Sequence, residues 1–260
     1  MSAPSFGRLD QLVVGILFLT RFRLPARADW PDDAVARAAW AFPLVGWALG
    51  VIGGTVALLA HRLGLPAPAP ALLGLGAIML ATGALHEDGL ADTVDGLGGG
   101  RDRAHKLEIM RDSRIGSYGA LALLVSVGLR VAALSALCEA APNLLPGTVL
   151  GALAAAHAVS RAGLPVIMRG LDPARPGGIA AGAGRPGADV TLAAALLGVG
   201  SALFGLGWWR GIAAIAAAAA AMAAAAALAR RQIGGYTGDV LGAAQQAAET
   251  IVLLAAAAQP

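Results

Sequence analysis

Three acids, Asp88, Asp92 and Asp95, stand at positions i, i+4 and i+7 within His86-Glu87-Asp88-Gly89-Leu90-Ala91-Asp92-Thr93-Val94-Asp95-Gly96. If a helix runs through to Gly96, each residue turns about 100° and the three carboxylates fall within about 60° of one face. Like charges set side by side repel unless a cation lies between them. Mg²⁺ is the expected cation, because it prefers carboxylate and phosphate oxygens and is held by one or two carboxylates together with the substrate. The candidate metal ligands are Glu87, Asp88, Asp92 and Asp95, joined by Asp239 from far along the chain. The bland alternative is a solvated, metal-free helix end. Asp88, Asp92, Asp95 and His86 are the candidate catalytic residues. His86 has three open readings: a base, an orienter of a carboxylate, or a hydrogen-bonded interfacial histidine.

Gly98-Gly99-Gly100 follows the acids, but no Gly-Lys-Ser/Thr comes after it, so the nucleotide-binding P-loop is absent. Five cations then occupy fourteen residues: Arg101, Arg103, Lys106, Arg111 and Arg114. Beside a metal-type cluster they suit phosphoryl chemistry, in which cations hold a diphosphate and a leaving phosphate. They equally suit the excess of Lys and Arg in cytoplasmic loops. Arg101, Lys106, Arg111, Asp112 and Arg114 are the candidate phosphate-binding residues of this stretch. A second polar motif, GGYTGDVLGAAQQAAE at 234–249, opens the last apolar run. Helix N-termini attract anions, so Thr237 and Gly238 are candidates to cradle a phosphate, while Asp239 either offers a carboxylate to the metal or only caps the helix. Gln246 shares a face with Asp239 and is assigned to substrate. Arg130, His157, Arg161 and Glu249 also lie inside apolar runs, where ionisable groups are costly and face a bundle interior or a wet cavity. His157 and Arg161, one turn apart, either complete a pocket or form a buried pair.

The elements that position these residues must be membrane helices. The chain has 57% hydrophobic and 13% charged residues, with a mean hydropathy of +0.70, too apolar for an ordinary soluble domain. Apolar runs near twenty residues match the roughly 30 Å hydrocarbon core at about 1.5 Å per residue. They fall at 38–60, 70–86, 118–137, 144–168, 190–209, 211–229 and 240–258. The expected fold is thus an all-α polytopic integral membrane bundle of about seven transmembrane helices, in which the 70–86 span ends in the acids. A shorter run from Leu9 to Thr20 is read as an interfacial or re-entrant helix. One domain, 1–260, is expected.

Fourteen of the nineteen Lys and Arg residues fall in 21–37, 86–117, 169–189 and 230–239, which places those segments, and the candidate site, on the cytoplasmic side. The net charge of +3 is topological, since the basic residues form no stripe interleaved with aromatics, and no nucleic-acid partner is expected. Cys138 is the only cysteine, which rules out an intramolecular disulfide. The arginines Arg21 and Arg23 argue against signal cleavage.

The stretches LHEDGLADTVDGLGGGRDRAHKLEIMRDSRIGSYG at 85–119 and GGYTGDVLGAAQQAAE at 234–249 resemble the cobalamin synthase family, the adenosylcobinamide-GDP ribazoletransferases. QLVVGILFLTRFRLP at 11–25 and RAAWAFPLVGWALG at 37–50 support the resemblance. It implies Mg²⁺-dependent joining of adenosylcobinamide-GDP to α-ribazole, or to its 5′-phosphate, with release of GMP, at the inner membrane of a bacterium. The implied partners are those two small molecules and membrane lipid, with the copy number open and a homo-oligomer included. Two other readings remain. The DxxDG at Asp92–Gly96 echoes CDP-alcohol phosphotransferases, but Leu97-Gly98-Gly99 replaces the Ala-Arg pair of their fuller pattern. A transporter would use the intramembrane polar residues as a path, yet the acids gather at one face.

Overall fold

A computed structural model describes residues 6–66, 68–140 and 147–258. The regular structure among them is entirely helical. Helices α1 (Arg8–Leu19) and α2 (Ala34–Ala38) lead through a 3₁₀ turn into α3 (Phe42–Arg62), then α4 (Ala69–Thr82), α5 (Leu85–Gly99) and the short α6 (Arg103–Ile109). The rest are α7 (Ser117–Ala140), α8 (Gly147–Ala162), α9 (Leu164–Gly170), α10 (Ile179–Gly182), α11 (Ala188–Leu206), α12 (Trp208–Ile233) and α13 (Gly238–Ala257).

Six stretches are long and apolar enough to cross a membrane: Ala34–Arg62, Ser117–Ala140, Thr148–Gly170, Ala188–Leu206, Trp208–Ile233 and Gly238–Ala257. The expected 70–86 span is interrupted, and it makes a seventh crossing only as a bent pair with the helix that follows. α4 is a 14-residue helix, about 21 Å long at 1.5 Å per residue, and α5 departs from it at 88°. The acids therefore sit not at the end of a span but on a separate helix. α5 carries His86, Glu87, Asp88, Asp92 and Asp95, too many ionisable groups to face lipid. It packs on α13 and α7 and stands outside the six continuous spans.

The bend between α4 and α5 has a local cause. Gly83 and Ala84 both take left-handed backbone, at φ 68° and 56°, which ends a right-handed helix. The Arg21 side chain fills the space a Cβ on Gly83 would need, while the Arg21 N–H donates to the Ala81 carbonyl at 2.8 Å. The short α1 lies where the sequence places a non-spanning helix, packed on α2 and α3.

α13 and α5 cross where each has a glycine. A Cβ on Gly242 would lie 3.1 Å from the Gly89 Cα and 3.1 Å from the His86 carbonyl oxygen, and one on Gly89 would lie 2.9 Å from the Asp239 carbonyl oxygen. The two backbones touch, as small residues allow where lipid supplies no hydrophobic drive for association. This crossing carries Asp239 to the acids of α5.

Candidate active site

Asp88, Asp92 and Asp95 occupy one helix face as their spacing predicts, and α13 brings Asp239 against it. Burial first, then the carboxylates of Asp88, Asp239 and Asp95, push Asp92 up from its ordinary 3.8 to about 7, against a weaker pull from Arg175. Both oxygens of Asp95 are taken up by backbone donors. Its Oδ2 accepts from the Gly116 N–H at 2.7 Å and its Oδ1 from the Gly119 N–H at 2.9 Å, so it caps the start of α7. A Cβ on either glycine would overlap that carboxylate. Asp239 Oδ2 accepts from the Thr237 hydroxyl at 3.0 Å and lies 3.6 Å from an Arg175 guanidinium nitrogen. Among the described residues no three His, Cys, Asp or Glu side chains converge closely enough to hold a metal by themselves. The set fits a hard cation held by one or two carboxylates and completed by substrate oxygens.

The cations divide by task. Arg101 and Arg111 are exposed and make no salt bridge among the described residues, which leaves them open to an anion. Arg103 instead donates to the Ile233 carbonyl at 2.7 Å and the Ala174 carbonyl at 2.6 Å, tying α6 to the α12 end. Lys106 donates to the Gln232 side chain. Arg114 and Asp112 pair with each other at 2.6 Å, on side chains that remain open to solvent. The Thr237 hydroxyl accepts from the Val240 N–H at 3.2 Å, so this fully buried side chain is the α13 N-cap, with Gly238 the first helical residue after it. Tyr236 exchanges backbone hydrogen bonds with Asp172 and Ala174, at 3.0 and 2.8 Å. That pairing places Arg175 over Asp239. Arg175 escaped the sequence reading because it is one loop arginine among several, and only the pairing gives it a position.

The profile of the cobalamin-5-phosphate synthase family matches residues 11–257. The chain belongs to this family. A relative from Bradyrhizobium diazoefficiens, named adenosylcobinamide-GDP ribazoletransferase, is 47% identical over 259 residues, covering 96% of this chain and 94% of its own. A second of that name, from Mesorhizobium japonicum, is 45% identical, with 95% and 93% covered. A third, from Azorhizobium caulinodans, is 45% identical with 89% and 90% covered. No solved structure matches.

In this cobalamin-5-phosphate synthase family member the intramembrane polar residues gather in one buried cluster, in which Arg130 Nη2, His157 Nε2 and Arg161 Nε have no partner among the described residues. Arg130 donates to Glu249 at 2.8 Å and to Glu87 at 3.2 Å. His157 Nδ1 lies 2.9 Å from Glu249, and Arg161 lies 3.8 Å from it. Gln245 donates to Glu249 at 2.6 Å and to the Ser160 hydroxyl at 2.9 Å. Gln246 donates to Glu87 at 3.2 Å. Two acids thus face two arginines in a core where an unpaired charge would be prohibitive. Glu87 and Gln246 belong to this cluster rather than to the ligand and substrate roles that the sequence assigned them. Glu87 is turned about 100° from Asp88 and about 140° from Asp92 around α5, where it meets Arg130 of α7 and Gln246 of α13. Gln245 and Ser160 were not singled out in the sequence, because their polarity acquires meaning only across helices. His86 stands between this cluster and the acids, 3% exposed.

Proposed function

We propose that this protein joins adenosylcobinamide-GDP to α-ribazole, or to α-ribazole 5′-phosphate, releasing GMP, with Mg²⁺ required and the site on the cytoplasmic face of a bacterial inner membrane. The carrying observation is the crowd of carboxylates around Asp92, with Arg175 at 3.6 Å from Asp239, in a member of the cobalamin-5-phosphate synthase family. Asp88, Asp92 and Asp239 would hold Mg²⁺, and Asp95 would fix α5 against α7 rather than ligate. When bound, Mg²⁺ neutralises the diphosphate and the negative charge that builds on the departing GMP.

A ribose hydroxyl of the acceptor attacks the phosphorus nearer the corrinoid. The new P–O bond forms as the bond to the GMP oxygen breaks, and the hydroxyl proton passes to an Asp88 or Asp92 carboxylate. Arg101 and Arg111, exposed at the same end, take up the nucleotide phosphate, and Arg175 sits where it can steer the diphosphate toward Asp239. Most of the acceleration comes from holding two large substrates in line, since phosphoryl transfer asks little covalent chemistry of the protein.

The test is GMP release and cobalamin formation by detergent-solubilised protein, with and without Mg²⁺, for wild type and Asp92→Asn. Metal-dependent release that the substitution abolishes supports both reaction and site. No release from folded protein would sink the reaction and bring CDP-linked donors forward. Full activity in Asp92→Asn would keep the reaction and refute the metal site.

A further inference from the structure

A small enclosed cavity of about 110 Å³ opens beside the acids. Phe18, Phe42, Leu164, Met168, Ala180 and Ala183 form its walls, while His86, Asp88 and Asp239 form its polar rim. The wall is flat on one side, because Phe18 and Phe42 stack with ring centroids 5.5 Å apart and 8° between planes. His86 is 3% exposed, and among the described residues its ring has no hydrogen-bond partner. The ring lines the cavity, so its nitrogens are open to whatever enters.

We propose that this cavity receives the planar base of the ribazole acceptor, with the His86 ring as hydrogen-bond partner to the free ring nitrogen of that base. The inference rests on the reaction proposed above and names the subsite for one of its two substrates. Size excludes the corrin, which is many times larger than the cavity. Polarity disfavours guanine: with Asp88 and Asp239 assigned to the metal, its several donors and acceptors would meet only His86 and apolar walls. A benzimidazole-type base has one free ring nitrogen and an otherwise C–H edge, which matches one imidazole among apolar walls. With the base seated, the ribose stands at the rim beside Asp88 and Asp239, and its hydroxyl meets the acid cluster. His86 is then a binding residue that orients the acceptor.

The test is steady-state kinetics with the two substrates varied separately. Ala183→Leu, which fills the cavity, should raise the KM for α-ribazole by about tenfold or more and leave the KM for adenosylcobinamide-GDP within about twofold. Met168→Ala, which widens it, should admit an acceptor whose base carries a third fused ring and which wild type rejects. His86→Gln, which keeps a donor, should hold the α-ribazole KM closer to wild type than His86→Ala does. A change confined to the donor KM, or no change in a folded variant, would overturn the assignment. Wild-type turnover tests the reaction by itself. Were it absent, equilibrium dialysis of α-ribazole against wild type and Ala183→Leu would decide the cavity independently: binding lost in the variant upholds it, and binding equal in both, or absent from both, overturns it.

Discussion

Asp92 keeps its proton to about pH 7 because neighbouring carboxylates and burial oppose its charge. In the unfolded chain the group ionises near its ordinary 3.8, so the folded state holds a proton that the unfolded state has lost. Stability from this group is therefore greatest below that value and declines as pH rises toward about 7. The proposed Mg²⁺ would favour the ionised form and oppose the decline. In detergent, the Tm of the metal-free protein should fall between about pH 5 and pH 8, the fall should shrink in saturating Mg²⁺, and Asp92→Asn should remove the Mg²⁺-dependent difference. Glu249 raises a separate expectation. Glu249→Gln leaves Arg130, Arg161 and His157 facing only Glu87, a truncation that costs on the order of 3–5 kcal/mol. Adding Arg130→Met should recover part of that loss, measured as a coupling energy between the two sites in thermal or denaturant unfolding. The face shared by Asp88, Asp92 and Asp95 was legible because helical spacing is a local property. The roles of Glu87 and Asp95 were not: Glu87 meets partners 43 and 159 residues away, and Asp95 caps a helix 21 and 24 residues on.

α5 works as an element because of two backbone devices, the left-handed pair at 83–84 and the glycine crossing with α13. Gly83→Ala puts a side chain both into left-handed backbone and into the Arg21 guanidinium, and should lower stability by about 1–2 kcal/mol through the backbone alone, with activity falling alongside. Gly242→Ala leaves the α13 helix free to form but pushes it off α5. Its expected signature is a loss of turnover larger than the loss of Tm, since Asp239 retreats from Asp88 and Asp92. Kinetics and calorimetry on the same preparation separate the two effects. Apolar run length was enough to place most spans within a few residues, because crossing a bilayer demands length and apolarity. It could not reveal the bend after Thr82, because a glycine in an apolar run reads equally as a packing residue, and Ala84 gives no sign of a turn.

Taken whole, the bundle separates its two ends. Trp208 and Trp209, 62% and 81% exposed, begin α12, and Arg230 and Arg231 finish it at the end that carries the acids. Aromatic residues settle at a headgroup boundary and arginines favour the cytoplasmic side. Cys138 is buried, so a cysteine introduced by Arg111→Cys would be the one readily labelled thiol. A membrane-impermeant maleimide should react with it in inside-out vesicles and not in intact spheroplasts; labelling from outside would reverse the orientation. Positive charge gave the sequence reading its sidedness and apolar length gave its membrane class. The buried core cluster is a property of the assembled whole. It imposes an order on biogenesis. As the chain enters the bilayer, His157 and Arg161 of α8 precede Glu249, which arrives later on α13. Until then the half-built bundle carries uncompensated positive charge in its interior, and α5 has no α13 to lie against. The arrival of α13 thus brings Asp239 to the candidate site and Glu249 to the core arginines together.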